Sequence, residues 1–202
     1  MDKFIYGLQR RLQEPLPGWL AQRHLMPESR KLEELNKSLH PAAVLISLFQ
    51  KDSEWWFPLI RRTADGFAHS GQVALPGGRR EGDENDFETA LREAHEEVNI
   101  LPAEVEVIGV TSPLPIPVSK HVVQPVIGYT QSIPDFKAEP KEVAEIFFAS
   151  VNDLCEKNVQ QESWHFKGRD LDIPFFEIQG HKVWGATAMI LSEFRTLASE
   201  VR

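Results

Sequence analysis

The sequence from residue 77 to residue 100, GGRREGDENDFETALREAHEEVNI, constrains the fold more than any other part of this chain. It begins with a glycine pair and continues with the signals of one well-defined helix. Asn85 is predicted to be the N-cap, and Glu88, three residues later, completes a capping box, with Asp86 as the alternative cap. We therefore expect a helix from about residue 87 to residue 98.

This helix is predicted to have two distinct faces, because successive side chains turn by about 100°. The apolar face should pack against a core and comprises Phe87, Ala90, Leu91, Ala94 and Val98. A separate face carries three carboxylates, those of Glu93, Glu96 and Glu97. Like charges at this spacing repel, and Arg92 can relieve only Glu96 at the i,i+4 spacing.

A bound divalent cation would relieve the remaining repulsion. Hard cations such as Mg²⁺ or Mn²⁺ take oxygen ligands and bridge carboxylates to substrate phosphates. We expect Gly77 and Gly78 to turn the backbone sharply and to bring a carbonyl towards such an ion. The alternative interpretation is a solvated acidic surface, which is the commoner meaning of a glutamate-rich helix considered alone.

The spacing of six residues favours the metal site. These residues are Gly78, Glu84, Arg92, Glu93, Glu96 and Glu97. Six fixed residue types at fixed spacing recur by chance about once in 10⁵ to 10⁶ chains of this length. The pattern resembles the Nudix box at every position but one, where Asn99 replaces the last glycine. Asparagine is the second-best residue for the left-handed end of a helix.

The resemblance to Nudix hydrolases implies a fold and a reaction. The fold would be an α/β/α sandwich with a mixed β-sheet, in which the box forms a loop, a helix and a loop. The reaction would be hydrolysis of a diphosphate bond in a nucleoside diphosphate derivative. By the same resemblance, Glu93, Glu96 and Glu97 would bind Mg²⁺ or Mn²⁺ with the Gly77 or Gly78 carbonyl, whereas Glu84 and Arg92 would brace the box.

A second pattern, upstream of the box, is similar to that of coenzyme A pyrophosphatases within the same superfamily. The matching positions are Leu59, Arg62, His69, Gly71 and Pro76-Gly77-Gly78, and the departures are Pro58, Ile60, Thr63, Leu75 and Phe67. Phe67 is the sharpest departure, because that subfamily usually has arginine there. The resemblance implies cleavage of coenzyme A or its derivatives to 4′-phosphopantetheine and adenosine 3′,5′-bisphosphate.

Other substrates and another class of function stay open at this point. One alternative is an ADP-ribose or nucleotide-sugar pyrophosphatase, and another is a non-catalytic Nudix module that senses a nucleotide. Four side chains are predicted to contact substrate phosphates, those of Arg62, His69, Arg79 and Arg80. The alternative for each arginine is that its side chain lies at the surface in solvent, and the alternative for His69 is that it is a loop residue with no part in the reaction.

A further carboxylate is expected downstream of the box, where Nudix enzymes often have a metal-linked or proton-accepting glutamate. Glu93 or Glu142 would accept the proton from water, and Glu145 is the alternative to Glu142. Glu142 and Glu145 lie three residues apart, so a strand would direct them to opposite faces. At most one of them should enter the site, and we favour Glu142.

The whole chain is predicted to form a single domain over residues 1–202, with residues 1–40 as a helical extension packed on it. Its net charge of −8 does not favour nucleic-acid binding. Cys155 is the only cysteine, which fits a reducing compartment. No apolar run reaches membrane-spanning length and no secretory signal is recognisable, so we expect a cytoplasmic enzyme. Its substrates would be small diphosphate compounds, and a homodimer is the oligomer to test.

Periodicity outside the box predicts the remaining elements. A helix is expected over residues 2–13, a buried strand over residues 42–49, and an antiparallel partner over residues 55–62, with Pro58 at an edge or bulge. Further strands are expected at residues 72–75, 105–114 and 122–130, the last two joined by a proline-rich loop. Residues 140–154 should form a loop, a strand and a short helix, followed by a hairpin over residues 165–178 and a closing helix.

Overall fold

The computed structural model describes residues 2–27, 39–63, 71–166 and 168–202, without the side chains of Phe166 and Arg169. Its central hairpin consists of β1 (His40–Lys51) and β2 (Glu54–Arg62). The turn between them is formed by Asp52 and Ser53, whose φ angles of 51° and 64° lie in the left-handed region. The predicted strand pair and its turn are confirmed.

The two strands of this hairpin separate soon after the turn, since their pairing ends at Phe49 and Trp56. Two short strands fill the gap: β3 (Val73–Ala74) pairs with β2, and β4 (Gly77–Arg79) pairs with β1. The segment that opens the box is thus built into the sheet. Pro58 lies beyond the last β1 pair, where its missing N–H breaks no bond to β1.

The rest of the main sheet is mixed. β7 (His121–Thr130) runs parallel to β1, and β5 (Val105–Val110) and β6 (Leu114–Ile116) pair antiparallel with β7. β8 (Val143–Ser150) pairs antiparallel with β2. The proline-rich segment was predicted as a loop, and the short strand β6 within it was not predicted; pairing with β7 keeps it extended.

Helices cover both faces of this sheet. On one face α3 (Asp86–Val98) packs Ala90, Ala94 and Val98 against side chains of β1, β2 and β7. On the other face lie α1 (Lys3–Arg11) and α5 (Gly185–Ser199), whose buried side chains join a larger core cluster. The expected α/β/α sandwich is confirmed, and the single domain over residues 1–202 stays a prediction.

The C-terminal part adds a small second sheet. It is an antiparallel sheet of three strands, β9 (Gln160–Phe166), β10 (Arg169–Ile178) and β11 (His181–Trp184). Two short helices pack beside α5, namely α2 (Trp19–Gln22) and α4 (Val151–Glu156). The hairpin of β9 and β10 was predicted, but β11 was not. Its four residues are too few for a clear alternation pattern. Within the described residues, no helix is long and apolar enough to cross a membrane.

The helix of the box begins and ends as expected. The Asn85 side chain accepts hydrogen bonds from the N–H groups of Phe87 and Glu88, and the Glu88 carboxylate accepts one from Asn85 N–H at 2.8 Å. Asn99 ends the helix with φ 61° and ψ 32°. The prediction for Phe87 was wrong: its side chain is 44% exposed, because the first turn of α3 lies beyond the edge of the core.

Candidate active site

Gly77 and Gly78 form part of a strand, and the predicted sharp turn at this pair was wrong. Both glycines are needed because other atoms occupy the space of a side chain. A Cβ on Gly77 would lie 2.4 Å from the Ala43 carbonyl oxygen, and a Cβ on Gly78 would lie 2.4 Å from the Glu93 carboxyl carbon. The glycine pair therefore lets β1 approach from one side and the Glu93 carboxylate from the other.

The two glycines direct their backbone groups to opposite sides. Their segment is bracketed by two hydrogen bonds to β1, from Leu45 N–H to the Pro76 carbonyl and from Arg80 N–H to the Pro41 carbonyl. Bonded and unbonded pairs alternate in an antiparallel ladder, so Gly78 faces β1. Gly77 is turned away from β1, and its N–H donates to the Glu97 carboxylate at 2.8 Å. The Gly77 carbonyl is consequently the one of the two that is not directed at β1.

Glu97 is the most buried carboxylate of the box, with 1% of its surface exposed. Its Oε2 accepts the bond from Gly77 N–H, and its Oε1 lies 3.0 Å from an Arg62 guanidinium nitrogen. Burial raises the pKa of Glu97 to about 7, although the Gly77 N–H and the Arg62 charge both favour the ionised form. The nearby charges of Glu93 and Glu142 also raise this pKa.

Glu93 lies against Gly78 and is also largely enclosed. Its carboxylate accepts a hydrogen bond from Arg92 at 2.9 Å. Burial raises the pKa of Glu93, against the opposing effect of Arg92, and the charges of Glu96 and Glu142 raise it further. The mutual repulsion expected from the sequence is therefore present, and it extends to Glu142 of the segment before β8.

Arg92 and Glu84 form an ion pair inside the box. The Arg92 guanidinium makes two bonds to the Glu84 carboxylate, at 2.6 and 3.1 Å, and donates to the Arg79 carbonyl at 3.0 Å. Glu84 also accepts from Glu81 N–H and from the Thr89 hydroxyl. Its pKa is lowered to about 2, chiefly by the bonds from Arg92. This ion pair links the loop, the strand and the helix of the box.

The predicted contact between Arg92 and Glu96 is confirmed at 3.1 Å, with the Glu96 side chain 58% exposed. The acidic face is thus graded: Glu97 is enclosed, Glu93 is mostly covered and Glu96 faces solvent. Helical periodicity predicted that the three side chains share a face. It could not rank their burial, because the burial of Glu97 depends on β4 and β2 lying beside the end of α3.

The structure separates the two arginines that follow the glycine pair from the carboxylates. Arg80 forms an ion pair with Asp86 at the start of α3. Arg79 is opposite Ala42 on β1, and Ala42 belongs to the core on the α5 side of the sheet. Because side chains alternate along a strand, the exposed Arg79 side chain lies on the face away from Glu93.

Arg62, at the end of β2, is directed towards the carboxylates. Its guanidinium binds Glu97, and a second nitrogen lies 3.8 Å from the Glu142 carboxylate. Glu142 is half exposed, and its charge acts on Glu97, to which Arg62 is hydrogen-bonded. The other phosphate contact predicted from the sequence, His69, lies outside the described residues.

The Glu145 carboxylate contacts residues outside this group of carboxylates. Its carboxylate binds Arg61 at 3.0 Å and lies 3.4 Å from a nitrogen of His181, whose ring stacks on Phe147. The bond from Arg61 is the main cause that lowers the pKa of Glu145. Glu142 and Glu145 have different partners, as expected, and Glu142 is the one beside Glu97 and Arg62. Strand alternation is not the reason, because β8 begins at Val143 and Glu142 precedes it.

The residues fit a hard divalent cation in donor type and charge. Oxygen ligands from Glu93, Glu96, Glu97 and the Gly77 carbonyl are the kind that Mg²⁺ and Mn²⁺ prefer. Across the part of the chain that the structure describes, no three histidine, cysteine, aspartate or glutamate side chains are arranged to hold a metal ion. In the structure these carboxylates accept hydrogen bonds from Arg62 and Arg92, so they would have to rotate before a cation could bind.

Comparison with known proteins agrees with this geometry. The model of the NUDIX domain matches residues 38–169 of the chain. This chain belongs to the Nudix family. It is 33% identical over 187 residues to a protein of Photorhabdus laumondii called an uncharacterized Nudix hydrolase NudL, covering 90% of this chain and 94% of that one. It is also 35% identical over 161 residues to Nudix hydrolase 15, mitochondrial, of Arabidopsis thaliana, covering 74% of this chain and 55% of the plant protein.

Solved structures support the Nudix fold. A Nudix hydrolase of M. smegmatis, RenU, superposes with a TM-score of 0.54 over 88% of this chain and 96% of that one, at 17% identity. A MutT protein from Methanosarcina mazei Go1 superposes with a TM-score of 0.52 over 83% and 95%, at 18% identity. Family membership makes the chain a Nudix pyrophosphohydrolase acting on nucleoside diphosphate derivatives, and such enzymes generally use divalent metal ions.

Proposed function

We propose that this Nudix enzyme hydrolyses the diphosphate bond of coenzyme A or a coenzyme A derivative, with Mg²⁺ or Mn²⁺. The main support for this active site is that Glu93 and Glu97 both contact the Gly77–Gly78 strand, with Arg62 and Glu142 beside Glu97. The substrate rests on the upstream pattern, in which Arg62, His69 and Gly71 precede Pro-Gly-Gly. The products would be 4′-phosphopantetheine and adenosine 3′,5′-bisphosphate.

Glu93, Glu96, Glu97 and the Gly77 carbonyl would hold the cation. When bound, it supplies charge that offsets the charge developing on the diphosphate, and it lowers the pKa of the attacking water. Burial of Glu93 and Glu97 strengthens their attraction for a cation, because few water molecules compete with it in a desolvated site. Glu96, which is exposed, would complete the ligand set from the solvent side.

Glu142 and Glu93 are the two candidates for accepting the proton of the attacking water. Glu142 is half exposed and its nearest cation, Arg62, is 3.8 Å away, so its oxygens are accessible to water. Glu93 is less accessible, because Gly78 and Arg92 cover it. We therefore favour Glu142 as the proton acceptor. Arg62, released from Glu97 when the cation binds, would be free to contact a substrate phosphate.

Arg79 and Arg80 are not proposed as phosphate contacts. Arg80 is held by Asp86, and Arg79 lies on the far face of the sheet. His69 stays a prediction, as does its contact with phosphate. Among the described residues, Arg62 is the predicted phosphate contact that lies beside the carboxylates, so ADP-ribose and nucleotide sugars are tested next to coenzyme A.

An assay with several substrates tests the proposal directly. Purified enzyme with Mg²⁺ or Mn²⁺ should convert coenzyme A to the two stated products, which chromatography and mass spectrometry resolve. ADP-ribose and a nucleotide sugar, at equal concentration, are the alternatives. Absence of coenzyme A cleavage, together with rapid turnover of either alternative, would reject the substrate assignment but retain the reaction type.

A non-catalytic module that senses a nucleotide is the remaining alternative from the sequence. Such a module has no need of the complete carboxylate set that this chain keeps, and family membership favours an enzyme. If all diphosphate compounds stayed intact while one of them bound, as calorimetry would detect, the binding function would replace the proposed one.

We also propose that the enzyme works in the cytoplasm and is able to form a homodimer. The single cysteine, Cys155, supports a reducing compartment because no internal disulfide is possible. Light scattering on the purified chain tests the dimer, and a mass equal to one chain at micromolar concentration would reject it. Fractionation of the source cells tests the compartment.

A further inference from the structure

Asn99 ends α3 with its side chain bonded to the segment that leads to Glu142. Its backbone takes the left-handed conformation, and its side-chain amide donates to the Asp135 carbonyl at 2.7 Å. We propose that Asn99 is a positioning residue for Glu142, acting through the segment of residues 135–142. This inference rests on the proposed role of Glu142 in the reaction.

The segment of residues 135–142 is fastened to the last turn of α3. Lys137 N–H donates to the Val98 carbonyl at 3.2 Å, and Glu139 N–H donates to the Glu97 carbonyl at 3.0 Å. These carbonyls have no partner within the helix, because the last turn of any helix leaves its carbonyls unsatisfied. The bond from Asn99 is made at the start of the same segment, and it fixes where the segment begins along the helix.

The far end of the segment carries Glu142. Glu142 N–H donates to the Glu139 carbonyl at 3.0 Å, and its own carbonyl accepts from Thr63 N–H at 2.9 Å. The Thr63 hydroxyl also donates to the Lys141 carbonyl at 3.0 Å. Glu142 is therefore held between the end of α3 and the end of β2. A shift of the segment at Asn99 would be transmitted through Glu139 to the Glu142 carboxylate.

Glycine, which the Nudix box has at this position, would end the helix equally well. It adopts the left-handed conformation without steric cost, but it has no amide to donate to Asp135. Replacement of Asn99 by glycine therefore removes the side-chain bond and leaves the end of α3 intact. The simpler explanation, that Asn99 only ends the helix, predicts no loss of activity on that replacement.

The decisive variant is Asn99→Gly, with Gln179→Gly as its matched control. Gln179 also has a positive φ, of 52°, but lies in the exposed turn between β10 and β11. Both variants should melt within about 2 °C of the parent protein, because glycine suits both backbones. We expect kcat of Asn99→Gly to fall about 5- to 10-fold, the effect of one lost hydrogen bond, with KM within about twofold. Gln179→Gly should keep the parent kcat.

Two further measurements separate positioning from a general loss of structure. Hydrogen exchange at the Lys137 and Glu139 amides should accelerate about tenfold in Asn99→Gly, because the segment opens more readily. Asn99→Asp has nearly the same shape but no amide donor, so it should lower kcat at least as much as glycine. In the background of Glu142→Gln, Asn99→Gly should have less effect on kcat than it has alone.

The outcomes distinguish this inference from the proposed function. If Glu142→Gln leaves kcat unchanged, the role of Glu142 fails and the inference fails with it. If Glu142→Gln lowers kcat but Asn99→Gly does not, only the positioning role is overturned. Equal losses in Asn99→Gly and Gln179→Gly, or exchange rates that stay unchanged at residues 137 and 139, would also overturn it.

Discussion

The Glu97 carboxylate accepts a hydrogen bond from the Gly77 amide at 2.8 Å, which joins the last turn of α3 to the strand inserted between β1 and β2. The other carboxylate oxygen binds Arg62 at 3.0 Å. One buried side chain therefore links the helix, the glycine strand and β2. Because its carboxylate also lies in a desolvated position, Glu97 combines a structural role with the capacity to bind a cation.

Replacement of Glu97 by glutamine should reduce kcat by about 10²-fold or more with Mg²⁺, because an anionic ligand is lost and an amide binds hard cations weakly. The replacement preserves the shape of the side chain, so circular dichroism should be unchanged. Glu104→Gln, at an exposed position before β5, is the matched control and should keep the parent rate. A Glu97→Gln enzyme with parental kcat would refute the metal role of this residue.

Stability of the metal-free protein should depend on pH through Glu97. Its pKa is about 7 in the folded protein, whereas an exposed glutamate has a pKa near 4.5. A raised folded-state pKa contributes stability below pH 4.5 and loses that contribution as the pH rises through 7, by up to about 3 kcal/mol. In EDTA, urea unfolding should therefore give a lower free energy of unfolding at pH 8 than at pH 5.

Glu97→Gln is the control for that experiment, since it should reduce the loss between pH 5 and pH 8. The part that remains is expected from Glu93, whose pKa is also raised by burial. Addition of Mg²⁺ at pH 8 should restore stability to the parent protein and not to the variant, because binding to the folded state alone stabilises it. The same pH dependence in parent and variant would assign the effect to another group.

The sequence predicted the box more completely than its surroundings, for a physical reason. A capping box and a left-handed cap depend on side chains within a few residues, so Asn85, Glu88 and Asn99 were sufficient to place both ends of α3. The ion pair of Glu84 and Arg92 was available only through the resemblance, because it joins a loop to a helix. Periodicity alone places the Arg92 side chain on the helix and says nothing of that loop.

What the sequence did not predict depends on contacts between distant segments. The strand at Gly77 exists because β1 and β2 separate after Trp56, and no local pattern reports that separation. Alternation of side chains along this strand places Arg79 on the far face of the sheet. The docking of residues 135–142 onto the end of α3 was missed also, although Asn99 in place of glycine was a signal that could have indicated it.

Alanine at the two glycines of β4 should have different consequences. Gly77→Ala places a Cβ against the backbone of β1, 2.4 Å from the Ala43 carbonyl oxygen, so strands must move apart. We expect a loss of stability of about 3 kcal/mol or more. Gly78→Ala collides with the Glu93 carboxylate, which can rotate, and should cost less stability but lower kcat more than tenfold. Thermal melts and rate measurements on both variants test this order, and a milder destabilisation from Gly77→Ala would contradict it.

Glutamine at Glu142 and at Glu145 should separate the two downstream carboxylates. Glu142→Gln removes a carboxylate beside Glu97 and should lower kcat by about 10²-fold, the contribution of a general base. Glu145→Gln removes an ion pair with Arg61 that is about 40% exposed on both sides, so we expect a stability loss below about 1 kcal/mol and a kcat within about twofold of the parent. Steady-state kinetics and urea unfolding on the pair give the comparison. A larger fall in kcat for Glu145→Gln than for Glu142→Gln would reverse the assignment, and it would mean that the contacts of Glu145 with Arg61 and His181 break when substrate binds.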